Sequence, residues 1–163
     1  MGLFRMKVPV LFTQAKSIYQ NMDECDCYGI DRDAKTYSGI HAVIAHPPCR
    51  AWGQLAHFAK PRPGEKDLAL WAVDKIREVG GVLEHPRASR LWKEKPLPAP
   101  GQFDEFGGFT LPVYQLWWGH LAQKATFLYI CGCGPAEVPE IPLYLGTATH
   151  VVSRSRAKGT KLP

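Results

Sequence analysis

Three short apolar runs in this chain stop abruptly at polar or reactive residues, and no other feature constrains its fold as much. Residues 27–30 run into Asp31, residues 41–45 into His46-Pro47-Pro48-Cys49, and Val82-Leu83 into Glu84-His85-Pro86. The first two runs have the length of a buried strand, the third is a brief one, and another, residues 8–12, precedes them all. Between them lie stretches that read as helices: residues 15–22, residues 32–37, and a segment after Cys49 through Leu55 and Phe58. The clearest helix spans residues 65–79, where Leu68, Ala72, Ile76 and Val79 keep a 3.6-residue period with Trp71 beside them, and Gly80-Gly81 closes it. Residues 93–108 are rich in Pro and Gly and read as a loop, and residues 109–118 and 126–130 read as strands.

Strands alternating with helices predict an α/β domain of Rossmann-like type, with a mostly parallel sheet flanked by helices. In such sheets ligands bind beyond the carboxyl ends of the strands. Asp31, the His46–Cys49 stretch and the Glu84–Pro86 stretch therefore converge on one site. The 163 residues suit a single domain over residues 1–150, followed by a basic tail over 151–163 that carries Arg154, Arg156, Lys158 and Lys161. That tail reads equally as a phosphate-binding arm or as a solvated terminus. A net charge of +5 is compatible with a polyanionic partner.

The five cysteines are an odd number, and neither a signal-peptide core nor a membrane-length apolar run is present. These features argue against a disulfide framework and place the chain in the cytoplasm, that of a host if it is phage-encoded. Cys25-Asp26-Cys27 and Cys131-Gly132-Cys133 offer a metal site only at a spacing unusual for zinc, so no metal is expected.

Cys49 leaves a buried strand behind two prolines that stiffen the backbone, which would fix its thiol at a pocket. A buried, inert cysteine is the competing reading. Glu84 at a strand end suits an acid of raised pKa or a hydrogen-bond partner for a base edge. His46 and His85 could raise the thiolate fraction of Cys49, or serve as structural hydrogen-bonding residues.

Together Pro47-Pro48-Cys49, the later Glu84-His85-Pro86-Arg87-Ala88-Ser89-Arg90-Leu91-Trp92, and the run from Tyr114 to Tyr129 with its Gly119, Lys124 and Thr126 resemble the cytosine-5 DNA methyltransferases, in their small phage and prophage form. The likeness spans roughly residues 8–131. It implies that Cys49 attacks carbon 6 of a flipped cytosine and that Glu84 contacts ring nitrogen 3 and the exocyclic amine, with Pro48 and His85 in the catalytic set. It implies S-adenosylmethionine as methyl donor, near Phe12, Gln14, Asp31, His46 and Pro47. DNA would be the partner, met by Arg50, Trp52, Gln115, His120, Lys124, Arg154 and Arg156, with Trp117 and Trp118 as stacking faces or core. The chain departs from the family in two residue patterns. Residues 12–19 contain no glycine where the family's cofactor loop is glycine-rich, and His85 replaces the family's Asn. No segment here matches the family's target-recognition region, so sequence reading would need a partner protein. The alternative is an inactive or cofactor-divergent relative that binds nucleic acid or protein.

Overall fold

In the computed structural model, which describes residues 6–54, 56–142 and 146–152, helix α2 (Glu65–Val79) spans the range its periodicity predicts. Glu65 and Asp67 sit in the first turn, where the helix dipole favours negative charge, and Gly80 closes the last turn at φ 80°, its N–H bonded to Ile76 O. The buried stripe is Ala69, Ala72, Val73 and Ile76, so the helix is rotated from the expected one and Leu68 and Val79 only flank it. Small side chains at 69 and 72 let the helix lie close on the sheet.

Six strands form that sheet: β1 (Val8–Leu11), β2 (Cys25–Tyr28), β3 (Val43–Ala45), β4 (Gly81–Pro86), β5 (Phe109–Tyr114) and β6 (Ala125–Cys131). Their order is β2-β1-β3-β4-β6-β5. The first four strands are mutually parallel, whereas β6 is antiparallel to both β4 and β5. The domain is thus α/β with a mixed sheet, parallel in three of its five pairings and antiparallel in the two that β6 makes. The stretch from Tyr114 to Ala125 is too short for the crossover helix that a parallel return needs. It holds instead a 3₁₀ turn, Gln115–Trp118.

The expected flanking helices are also reduced. Residues 15–22 hold only a 3₁₀ turn at Ile18–Asn21, which buries no residue, and residues 32–37 hold one at Ala34–Thr36. The first segment buries no side chain and the second only Ala34 and Tyr37, too little to offset the cost of helix nucleation. Short helices α1 (Ala56–Ala59) and α3 (Leu91–Glu94) complete the described set, and no helix among the described residues is long and apolar enough to cross a membrane.

The core lies on the α2 side of the sheet. It takes Leu11, Val43, Ala45, Leu83, Tyr129 and Cys131 from the strands, the fully buried Trp52 from the loop after Cys49 and the fully buried Leu91 from α3. Gly81 is required where β4 pairs with β3: its φ is 124°, and a Cβ there would stand 2.0 Å from Val43 O. Arg154 and Arg156, with the rest of the basic tail beyond 152, lie outside the described residues.

Candidate active site

At the β3 end the His46 N–H reaches Leu11 O at 3.1 Å, which carries the β1–β3 pairing one residue past the strand. Pro47 is buried and Pro48 half-buried, and the chain emerges at Cys49, whose thiol is exposed. The Cys49 carbonyl accepts N–H groups from Trp52 (3.0 Å) and Gly53 (3.1 Å), so the nucleophile candidate heads a tight turn. Trp52 anchors that turn from below, 0% exposed, its indole N–H on Lys66 O. It cannot serve as a stacking face for a base, because burial of its ring is what holds the loop.

The second motif is tied to this loop by backbone. Arg90 N–H bonds Trp52 O at 3.0 Å, and the Arg90 guanidinium bonds Ala51 O at 3.1 Å. Strand alternation in β4 sends Leu83 and His85 into the core and Glu84 to the other face.

Glu84 is the best-connected side chain of the site. His46 Nδ1 lies 3.4 Å from Oε2, Gln115 Nε2 donates to Oε1 at 3.0 Å, and Lys124 Nζ is 3.9 Å from Oε1. Gln115 also reaches Thr126 Oγ1 at 3.2 Å. These donors come from the β3 end, the turn after β5 and the approach to β6. Burial works against charge on Glu84, but the His46 hydrogen bond and the Lys124 charge outweigh it and hold the carboxyl below the usual carboxylate range. The expected acid of raised pKa is therefore not present in the free protein; Glu84 is a carboxylate there.

His85 is 0% exposed, and neither ring nitrogen has a hydrogen-bond partner. Burial pushes its pKa down to about 4, against the smaller pull of Glu84 and the nearby Pro48 backbone. A ring that stays neutral at pH 7 cannot supply positive charge to Cys49. Its contact with the Pro48 backbone makes it a support beneath the loop.

Several other expected residues are committed elsewhere. Arg50 forms a two-pronged pair with the buried Glu65, one arm at 2.9 Å, so its guanidinium neutralises the α2 terminus rather than waiting for a phosphate. His120 is exposed and accepts the Ala122 N–H on Nδ1 at 3.0 Å. It lines a cleft of about 530 Å³ with Leu121, Lys124 and His150, beside the Glu84 cluster. Trp117 is half-buried and Trp118 is 52% exposed, so neither belongs to the core. Cys25-Cys27 on β2 and Cys131-Cys133 at the end of β6 are separated by three strands, about 19 Å, which excludes one metal site made from both pairs. Among the described residues no group of three His, Cys, Asp or Glu side chains could hold a metal ion.

S-adenosylmethionine, implied by the resemblance, would lie where strand order reverses, between the carboxyl ends of β1 and β3. Phe12, just past β1, has a left-handed backbone at φ 63°, the conformation a glycine would supply, but its ring packs edge-on against Trp71. Thr13 is folded onto β2, with both its N–H (2.8 Å) and its hydroxyl (3.1 Å) on Tyr28 O. A Cβ on Gly29 would stand 2.6 Å from Thr13 O, so these segments are already at closest approach. Tyr19 lies against His46, ring centroids 5.5 Å apart, its hydroxyl 3.2 Å from Nε2. Gln14 and Asp31 are exposed, and Pro47 is buried. Only Asp31, free at the surface past β2, stands as a cofactor ligand would. In this arrangement the residues present do not fit the cofactor, because the chain's own Tyr19 covers the crevice.

Tyr19 is the member of the site that sequence reading missed. It lies in a polar turn, and only its i-to-i+27 meeting with His46 reveals it.

No family model matches the chain, and no solved structure matches it. Among curated proteins it is similar to beta-galactosidases of Yersinia pestis bv. Antiqua (strain Angola) and Yersinia pseudotuberculosis serotype O:1b (strain IP 31758), each 30% identical over 77 residues. That match takes in 45% of this chain, which spans about 7% of the length of those relatives.

Proposed function

We propose that this chain is a cytosine-5 methyltransferase-like enzyme acting on a pyrimidine of a nucleic acid, with Cys49 as nucleophile and Glu84 as the group that recognises the ring. The carrying observation is the Glu84 carboxylate, held by His46, Gln115 and Lys124 beside the turn that presents the exposed Cys49 thiol. A fixed, half-buried carboxylate suits the exocyclic amine of cytosine, which donates to it. The parallel β2-β1-β3-β4 part of the sheet, reversing between β1 and β3, supports a Rossmann-like ancestry.

In this reading the Cys49 sulfur bonds carbon 6, the C5=C6 π pair shifts toward carbon 4, and nitrogen 3 takes a proton from the Glu84 carboxyl. Carbon 5 becomes nucleophilic and takes a hydron from solvent; loss of its original proton to solvent, return of the nitrogen-3 proton to Glu84 and expulsion of the thiolate restore the ring. S-adenosylmethionine supplies a methyl group to such a carbon in the enzymes this chain resembles, but Tyr19 covers the crevice here and no step is built on it. A partner protein would supply target recognition.

The relatives' name, beta-galactosidase, does not carry over. This chain spans about 7% of those relatives' length, so their activity stays with them. The closed crevice does favour one other reading, a non-catalytic relative that binds nucleic acid or protein.

One experiment separates the two readings. Oligonucleotides, single- and double-stranded, are incubated in D₂O and the cytosine carbon-5 hydrogen is followed by mass spectrometry. The same strands with 5-fluorocytosine are tested for covalent capture, with and without S-adenosylmethionine. Enzyme-dependent deuterium uptake is expected, abolished in Cys49→Ala and lowered about a hundredfold in Glu84→Gln. Absence of both exchange and capture on either strand form would sink the enzyme reading.

A further inference from the structure

The carboxyl that must protonate nitrogen 3 is ionised in the free protein, so the proposed chemistry needs a proton source that Glu84 alone does not provide. Resting on the reading above, we propose that Tyr19, His46 and Glu84 form a proton relay, with His46 loading and unloading the carboxyl that faces the pyrimidine.

The geometry is that of a bridge. One imidazole nitrogen of His46 faces Glu84 Oε2 at 3.4 Å and the other faces the Tyr19 hydroxyl at 3.2 Å. Both sides of one ring are thus engaged by groups from different parts of the chain, one inside the site and one on the turn after β1. The tilted ring contact, with an interplanar angle of 30°, keeps Tyr19 in place over His46. The imidazole is held by the backbone extension of β3 and lies partly exposed, 30% at its side chain, against 20% for Glu84. Solvent can therefore resupply the ring while the carboxyl stays sheltered.

The charged and titratable groups facing this chain are few. Glu84 meets Lys124 from the approach to β6 and lies next to the neutral His85, and Tyr19 is influenced by Cys25 and Cys27 on β2. Burial pushes the Tyr19 hydroxyl up, with smaller contributions from Cys25, Glu84 and Cys27, so it remains a proton donor to Nε2 at neutral pH. With Nε2 accepting, the proton of the neutral ring sits on Nδ1, directed at Glu84.

Protons balance through one cycle. As sulfur bonds carbon 6, Nδ1–H passes its proton to the ionised Glu84, which hands it to nitrogen 3 and is a carboxylate again, while Nε2 takes a proton from Tyr19 or solvent. The proton of the thiol leaves to solvent, so none is gained or lost overall. Expulsion of sulfur runs the same transfers backwards. Lys124 and Gln115 cannot take this part: the ammonium holds Glu84 in its charged form, and an amide does not titrate. His46 acts through Glu84 and is a positioning and relay residue, not a group that touches the base.

The test follows carbon-5 deuterium exchange on a cytosine oligonucleotide across pD 5–9 in the full chain and in His46→Gln, His46→Ala and Tyr19→Phe. His46→Gln should keep the hydrogen bond to Glu84 but exchange at least about tenfold more slowly, with an altered pD profile. Added imidazole should restore much of the rate in His46→Ala, and Tyr19→Phe, which leaves the ring in place, should lose a few-fold. An unchanged rate and profile in His46→Gln overturns the relay and leaves the enzyme reading standing. So does a slow His46→Ala that imidazole does not rescue. If the His46 variants fail to fold, Tyr19→Phe decides, and an unaltered profile there overturns the relay. No exchange in the unmodified chain overturns the enzyme reading and the relay with it.

Discussion

Lowering the pH from 6.5 to 4 should strip about 3 kcal/mol from the stability of this protein through His85 alone. The folded ring has its pKa pushed from the ordinary 6.5 to about 4 by burial, so between those values the unfolded chain binds a proton that the folded chain refuses. Stability from this group is fully present above pH 6.5 and falls away as the pH approaches 4. Glu84, held below its ordinary range, adds to the loss only at more acidic pH, as the medium falls past the carboxylate range. Urea unfolding at half-unit intervals of pH measures the slope, and His85→Asn should flatten it between pH 4 and 6.5. A variant with the same slope as the natural chain would place the titration elsewhere. Unfolding should begin at the loop, because His85 supports the Pro48 backbone and protonation would put a charge beneath Cys49.

Asp104→Ala should cost about 3–5 kcal/mol, at the opposite end of β4 from the site. Asp104 lies on the loop before β5, its side chain 11% exposed, and one of its oxygens accepts both the Arg77 guanidinium (3.1 Å) and the Tyr129 hydroxyl (2.6 Å). The other accepts the Phe106 and Gly108 N–H groups at 3.0 and 2.8 Å. Burial opposes its charge, yet these four donors prevail and hold the carboxyl low. Removing it strands Arg77, 13% exposed at its side chain, without its counter-charge. Urea denaturation of Asp104→Ala, Arg77→Met and the double variant gives the coupling. The two single losses should exceed the loss in the double by at least about 1 kcal/mol. Simple additivity would mean that the network is only a set of independent contacts.

The parts of the fold that could be read from the sequence are those whose signal is local. The apolar runs before His46 and Glu84 are strands, and as parallel neighbours both finish at the same end of the sheet, because a buried strand needs continuous apolar residues wherever it lies. Helix α2 carries its own period and its own closing glycine. Trp52 misled for the opposite reason. A tryptophan three residues after a reactive cysteine suits stacking and anchoring equally, and only the cavity under the loop decides between them. The charge state of His85 likewise depends on enclosure by residues far along the chain. Glu84 is legible as a strand-end carboxylate, but its charge state is not, since His46 and Lys124 meet it only once β3, β4 and β6 are assembled. The reversal of β6 was legible after the fact in the short Tyr114-to-Ala125 connection, which leaves no room for a crossover.

That reversed strand has a further consequence. By pairing Glu84 with Leu128 and His85 with Phe127, β6 covers the open N–H and C=O row of β4. A chain ended ahead of Gln115 would retain Cys49, His46 and Glu84 yet expose that row as an adhesive edge, open to strand addition from a neighbouring molecule. The smallest autonomous unit that can carry the site is therefore set by the edge that must be sealed, and it extends to the end of β6 at Cys131, well past Glu84.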